Sequence, residues 1–208
     1  MCDEFGEGNI GSYVEMNPMV QRILDECEAK DFRKGNRTAY MQNSKYDEFV
    51  KAVCEGADMV TVPEEHRDKM VRLALSPKEF FEHMRSFAVG MQYAAKKLGV
   101  PVQVDEYEFH SAIRDGTTGK DFRDFNAAAL HNDETNHYTL LINPEFIMRS
   151  AMMERAKTSV GHKRVSGDEF TPKEKEIMIG AEEMLHFYDM QHNGAKPTYT
   201  IGDFNVEQ

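Results

Sequence analysis

No stretch of the 208-residue chain approaches the roughly 20 consecutive apolar residues that cross a bilayer, so the sequence predicts no membrane-spanning helix and no membrane partner. The start, Met1-Cys2-Asp3-Glu4-Phe5-Gly6, lacks the basic-then-apolar layout of a secretion signal, and the expected compartment is the cytoplasm. Cysteine is scarce. Cys2, Cys27 and Cys54 are odd in number and have no C-x-x-C spacing, so neither a disulfide framework nor a thiolate zinc site is indicated. Basic residues are outnumbered, 25 against 36 acidic, for a formal charge of -11. Phosphate recognition needs clustered Lys and Arg, so this balance argues against a nucleic-acid partner. It places no such limit on a peptide or protein.

What is present suits one domain with a sizeable core. Residues 1–16 are rich in Gly and acidic side chains and are expected to form a flexible lead-in. A helical section over 17–76 follows. Val20, Ile23, Leu24 and Cys27 keep helical spacing after Asn17-Pro18, and a Gly35-Asn36 break separates them from Tyr46, Phe49, Val50 and Val53. A third helix opens at Thr61-Val62-Pro63-Glu64. Ser76-Pro77-Lys78-Glu79 is a capping box that starts a long helix ending at Gly99. Its face of Phe80, Phe81, Met84, Phe87, Ala88, Met91 and Ala95 is continuous, and Gly90 is small enough for close packing, so it is expected to back the core.

Period-two alternation over 100–107 predicts a strand, and His137-Tyr138-Thr139-Leu140-Leu141-Ile142 predicts another. The segment from Phe122 to Leu130 is open between a short helix and a strand. Asn143-Pro144 should close the second strand and cap a helix through Phe146, Ile147, Ala151 and Met152, with a loop from Thr158 to Phe170 after it. The expected fold is therefore helix-rich α+β, with residues 77–208 forming one compact domain together with 17–76.

The last predicted helix carries the chemistry. Thr171-Pro172-Lys173-Glu174 is a second capping box. At about 100° per residue, Ile177, Ala181, Met184, Leu185 and Tyr188 share an apolar face, with Glu182, His186 and Asp189 in a narrow stripe opposite. Met178, Ile179, Leu185 and Met190 border that stripe, which suggests a half-buried position facing a cleft. Glu182 and His186, four apart, project side by side and can grip one ion.

The string from Glu182 to His192 resembles the H-E-x-x-H motif of zincin metallopeptidases, in its longer metzincin form H-E-x-x-H-x-x-G-x-x-H. The resemblance implies Glu183 as general base, with His186 and His192 as ligands. Glu182 stands at the first histidine, where a carboxylate is still a legitimate ligand. Two histidines and a carboxylate also suit iron, so zinc has iron and manganese as alternatives, and no metal is a further one. Asp189 replaces the glycine that lets the chain turn. If the helix instead continues to Asn193-Gly194, Asp189 is a better third ligand than His192. The order of elements over 77–194 resembles a minimal zincin subdomain of backing helix, small sheet and motif helix. In that family the strand before the active helix lies along the cleft edge and pairs with substrate, a role that falls to Tyr138, Leu140 and Ile142. After His192 the chain holds no methionine for a metzincin Met-turn.

Other histidines compete. Glu134 and His137 repeat the E-x-x-H spacing of Glu183 and His186, as in a diiron carboxylate protein, but 131–137 read as a polar turn. His83 follows Glu79 by four and suggests a local helix pair; His66 and His110 read as surface residues, and His162 as part of a basic loop. Two main functions follow: a divergent metal-dependent, peptidase-like hydrolase with water activated by Glu183, or a catalytically inactive zincin-like protein that binds a partner through the old cleft.

Overall fold

The computed structural model describes residues 15–28, 44–56, 62–114, 118–160, 170–194, 199–201 and 204–207. Most of the expected N-terminal lead-in and the loop that holds His162 lie outside them. Among the described residues three helices come first: α1 (Pro18–Glu28), α2 (Ser44–Gly56) and α3 (Glu64–Ala74). The long α4 (Pro77–Leu98) follows, then β1 (Glu106–Phe109), β2 (Ile113–Arg114), β3 (Asp121–Phe122), β4 (Ala127–Asn132) and β5 (His137–Ile142). Next come α5 (Pro144–Val160) and the motif helix α6 (Pro172–Tyr188), prolonged by a π-helical turn over Asp189–Asn193. Two short strands, β6 (Tyr199–Ile201) and β7 (Phe204–Glu207), close the chain. The architecture is helix-rich α+β, as expected, and no described helix is long and apolar enough to cross a membrane.

Local chemistry sets the helix ends. Asn17 Oδ1 accepts from Met19 N–H, while its side-chain amide donates to Val102 O at 2.7 Å, so one residue caps α1 and ties it to the chain after α4. Ser76 and Glu79 form the reciprocal box that opens α4, and Gly99 ends it in the left-handed conformation at φ 69°. Asn143 is buried. It donates to Phe125 O and accepts from Glu145 N–H, closing β5 and starting α5.

The sheet has the order β1-β5-β4-β7-β6, with β1 parallel to β5 and the remaining pairs antiparallel. The segment left open between helix and strand becomes β3 and β4. Alternation sorts the central strands by face. Ala129, Tyr138, Leu140 and Ile142 join the main core with the helices, while Ala128, Leu130 and Leu141 meet Ile113 and Phe125 on the other side. The main core draws on Met19, Ile23, Tyr46, Phe49, Phe80, Phe87 and Phe187 alike, so the N-terminal helices and the later section share one interior. The expected strand over 100–107 enters a ladder only from Glu106. Before that, Val102 and Val104 still alternate inward; side chains hold the backbone at Val102 and Gln103, and Asp105 N–H already donates to Tyr138 O of β5.

At Gly90 and Gly180 the backbones of α4 and α6 meet with no side chain between them. A Cβ on Gly90 would lie 1.9 Å from Ile177 O, and one on Gly180 would lie 2.3 Å from Phe87 O. The contacts Lys173 to Glu82, Glu176 to His83 and Gly180 to Phe87 advance together along both helices, so the two run parallel. Gly90→Ala should therefore cost about 3 kcal/mol, since a methyl meets backbone that has nowhere to move. Gly99→Ala, with open space around it but a positive φ, should cost about 1 kcal/mol. Urea unfolding of both variants checks this; equal costs would show that the crossing tolerates a side chain.

Candidate functional site

α6 forms as its sequence predicts. Thr171 Oγ1 accepts from Glu174 N–H at 3.2 Å, the Glu174 carboxylate accepts from Thr171 N–H at 2.6 Å, and Pro172 occupies the first turn. The orientation differs from the expectation. Its buried residues are Pro172, Glu176, Gly180, Glu183, Met184 and Phe187, whereas Leu185, expected inside, is 45% exposed. The cause is the crossing with α4: only the Gly180 side lets the backbones meet, and helical spacing carries Glu176 and Glu183 inward with it.

This rotation separates the motif residues. Glu182 is exposed, and His186 and Asp189 are half-buried on the same outward side, so the predicted stripe is real. Glu183 is only 5% exposed and lies on the core face of α6. The residue expected to activate water is thus closed into the core, while those expected to hold the metal are exposed or half-buried. Among the described residues, no three His, Cys, Asp or Glu side chains converge on a point where one ion could sit.

The end of the helix shows where Asp189 and His192 lie. Asp189 keeps helical dihedrals (φ -63°, ψ -41°), and the chain continues through the π turn to Gly194 at φ 64°. It makes no turn at Asp189 of the kind the metzincin glycine provides. His192 instead donates from Nε2 to Pro101 O at 3.1 Å, with its ring against Tyr188. Asp189 Oδ1 accepts from Asn193 Nδ2 at 2.6 Å. Between them, Gln191 accepts from Gln103 N–H and donates to Gln103 O, both at 2.8 Å, so its amide bonds that backbone as a neighbouring strand would. The extra residue of a π turn aims Gln191 and His192 at residues 101–103, and sequence reading missed this clamp because the partners are 88 positions apart.

The substrate-strand expectation is corrected by topology. β5 is interior, bonded to β1 on one side and β4 on the other, and Tyr138, Leu140 and Ile142 are core side chains. An added peptide strand has no edge of β5 to pair with. The outer edge of β1 is also engaged: Lys45 Nζ donates to Tyr107 O at 2.7 Å, and Glu48 Oε1 accepts from Phe109 N–H at 3.3 Å.

The remaining histidines sort by geometry. Glu134 lies in the four-residue turn between β4 and β5, and His137 begins β5, so the pair sits on a hairpin and not on facing helices. His66 and His110 are exposed. His83 does not pair with Glu79, which takes Arg155 and the Ser76 cap; its ring lies 2.5 Å from Glu176 in the α4–α6 crossing. The available signal was its place among Phe80, Met84 and Phe87 on the apolar face of α4. Two surface clefts, about 510 Å³ between α2 and α3 and about 250 Å³ between α5 and the start of α6, include none of Glu182, Glu183, His186 or His192.

Gln191→Ala should cost about 1 kcal/mol, because it removes both hydrogen bonds to Gln103 at a solvent-exposed site, and it should speed amide exchange at Gln103. His192→Ala, which removes one bond at an exposed site, should cost less than about 1 kcal/mol; the reverse order in urea unfolding would contradict the clamp. Comparison with protein-family models, with characterised proteins and with solved structures finds no match to this chain.

Proposed function

We propose that the protein works by binding a partner protein through the outer face of α6, as a catalytically inactive relative of the zincin layout in a cytoplasmic setting. The observation that carries this reading is the contrasting burial of consecutive carboxylates, Glu182 exposed and Glu183 closed into the core. In this reading Glu183, closed into the core, does not serve as base for a water held by Glu182 and His186. Met178, 50% exposed, and Leu185 flank Glu182, with exposed Glu174 one turn earlier. Apolar side chains set among carboxylates, on a chain of net charge -11, suit a partner segment with apolar residues flanked by Lys or Arg.

A divergent metal-dependent, peptidase-like hydrolase is the second reading. It is favoured by Glu182, His186 and Asp189 sharing one side of the helix, where they would hold zinc, iron or manganese. That enzyme needs either a different base or a turned α6.

Elemental mass spectrometry on protein purified without chelator or metal column separates the two. The binding reading expects far less than one equivalent of metal in wild type and in His186→Ala alike, together with NMR shifts along α6 when a Leu- and Lys-rich helical peptide is added. Met178→Asp with Leu185→Asp should weaken that binding at least about tenfold, the scale of losing two apolar anchors. Near one equivalent of metal, lost in His186→Ala, would overturn the binding reading in favour of the hydrolase.

A further inference from the structure

The α4–α6 crossing seals in a titratable pair that the outer face of α6 does not use. His83 Nδ1 lies 2.5 Å from Glu176 Oε1, the two side chains are 2% and 0% exposed, and Glu176 Oε2 has no hydrogen-bond partner among the described residues. The charged groups acting on Glu176 from the packed elements are Glu154 of α5 and Lys173 of α6, and Lys173 itself lies 3.6 Å from Glu82 of α4. Burial pushes the Glu176 carboxyl above the ordinary carboxylate range, while the hydrogen bond and charge of His83 draw it back.

We propose that His83 and Glu176 form a one-proton latch between α4 and α6, which holds the crossing most firmly between about pH 5 and 6 and loosens it on either side.

The argument is one of charge. An imidazole and a carboxyl shut away from water are net neutral only with one proton between them, whichever of the two carries it. Removing that proton leaves an uncompensated carboxylate beside a neutral ring; adding a second leaves an imidazolium beside a neutral acid. Either puts a net charge where solvent cannot reach. In the unfolded chain the groups titrate independently, the carboxyl near its ordinary 4.5 and the imidazole near about 6.5. Above about pH 6.5 the unfolded chain therefore binds fewer protons than the latch, and stability falls as pH rises. Below about pH 4.5 it binds two against the latch's one, and stability falls as pH drops. The upper limb agrees in sign with the raised Glu176: a carboxyl that keeps its proton longer when folded contributes stability that is lost as pH rises through its folded value. Such a pair also makes the crossing specific, since sliding α6 one turn along α4 would part the two groups in the core.

Urea unfolding of the full chain from pH 4 to pH 8 tests this with wild type, His83→Gln, Glu176→Gln and the double variant. Measured against the double variant, wild-type stability should peak between about pH 5 and 6, with the folding constant changing by up to about tenfold per pH unit on each limb. The single variants should slope in opposite directions. His83→Gln, left with a buried acid, gains stability as pH falls; Glu176→Gln, left with a buried neutral ring, loses it. A wild-type profile parallel to that of the double variant throughout would overturn the latch. A second readout requires no variant to fold: NMR of the Glu176 carboxyl carbon in wild type should show no titration step at the ordinary carboxylate value of 4.5. A step at that value would equally overturn it.

Discussion

The backbone-to-backbone contact of α4 with α6 decides where every other candidate residue ends up. Gly90 abuts the backbone of Ile177 and Gly180 that of Phe87, each with no room for a Cβ, so the helices come this close only with both glycines in the crossing. Once Gly180 is inside, the 3.6-residue period leaves no freedom: Glu176, Glu183, Met184 and Phe187 follow it in, and Met178, Glu182 and Leu185 are turned out. The closest packing in the domain thus carries carboxylates into the core. Glu176 is compensated there by His83 of the opposite helix. Dispersion contacts along two bare backbones and one buried polar pair are what hold α6 in its rotation.

At its far end the same helix is fixed by polar means. The π turn aims Gln191 and His192 at residues 101–103, where they satisfy backbone groups that no strand reaches. Asn17 holds the neighbouring Val102 from the other direction, so the link from α4 into β1 is tied to both α1 and α6. Lys45 and Glu48 meet the outer edge of β1, and β5 lies between two neighbours. With the β1 edge engaged and β5 interior, strand addition at that side of the sheet is disfavoured.

What could be read from the sequence was whatever short-range chemistry determines. The two capping boxes, the left-handed stop at Gly99, the Asn143-Pro144 junction and the span of β5 depend on residues within a few positions of one another. The pairing of α4 with α6 was foreshadowed by Gly90 alone. The rotation of α6 was not legible, because the apolar count along the helix favours Leu185 inside, and only the steric demand of a distant helix reverses that. Likewise His83 had a plausible partner four residues away in Glu79, yet that carboxylate is taken by Arg155 and by the Ser76 cap. The candidate site was legible as a stripe of Glu182, His186 and Asp189. The direction of Glu183 depended on tertiary packing that no motif encodes.

The central claim is that residue 182 is exposed while its neighbour 183 is buried, and thiol labelling measures this directly. In a chain with Cys2, Cys27 and Cys54 replaced by Ser, a cysteine is placed at Glu182 in one variant and at Glu183 in another, and each reacts with a maleimide under native conditions. The account predicts that the thiol at 182 reacts at nearly the unfolded rate, while the thiol at 183 is slower by at least about a hundredfold, since it must wait for local opening. Similar fast rates at both positions would mean that Glu183 faces water beside Glu182 and His186, and the arrangement expected of a metallopeptidase would stand in its place.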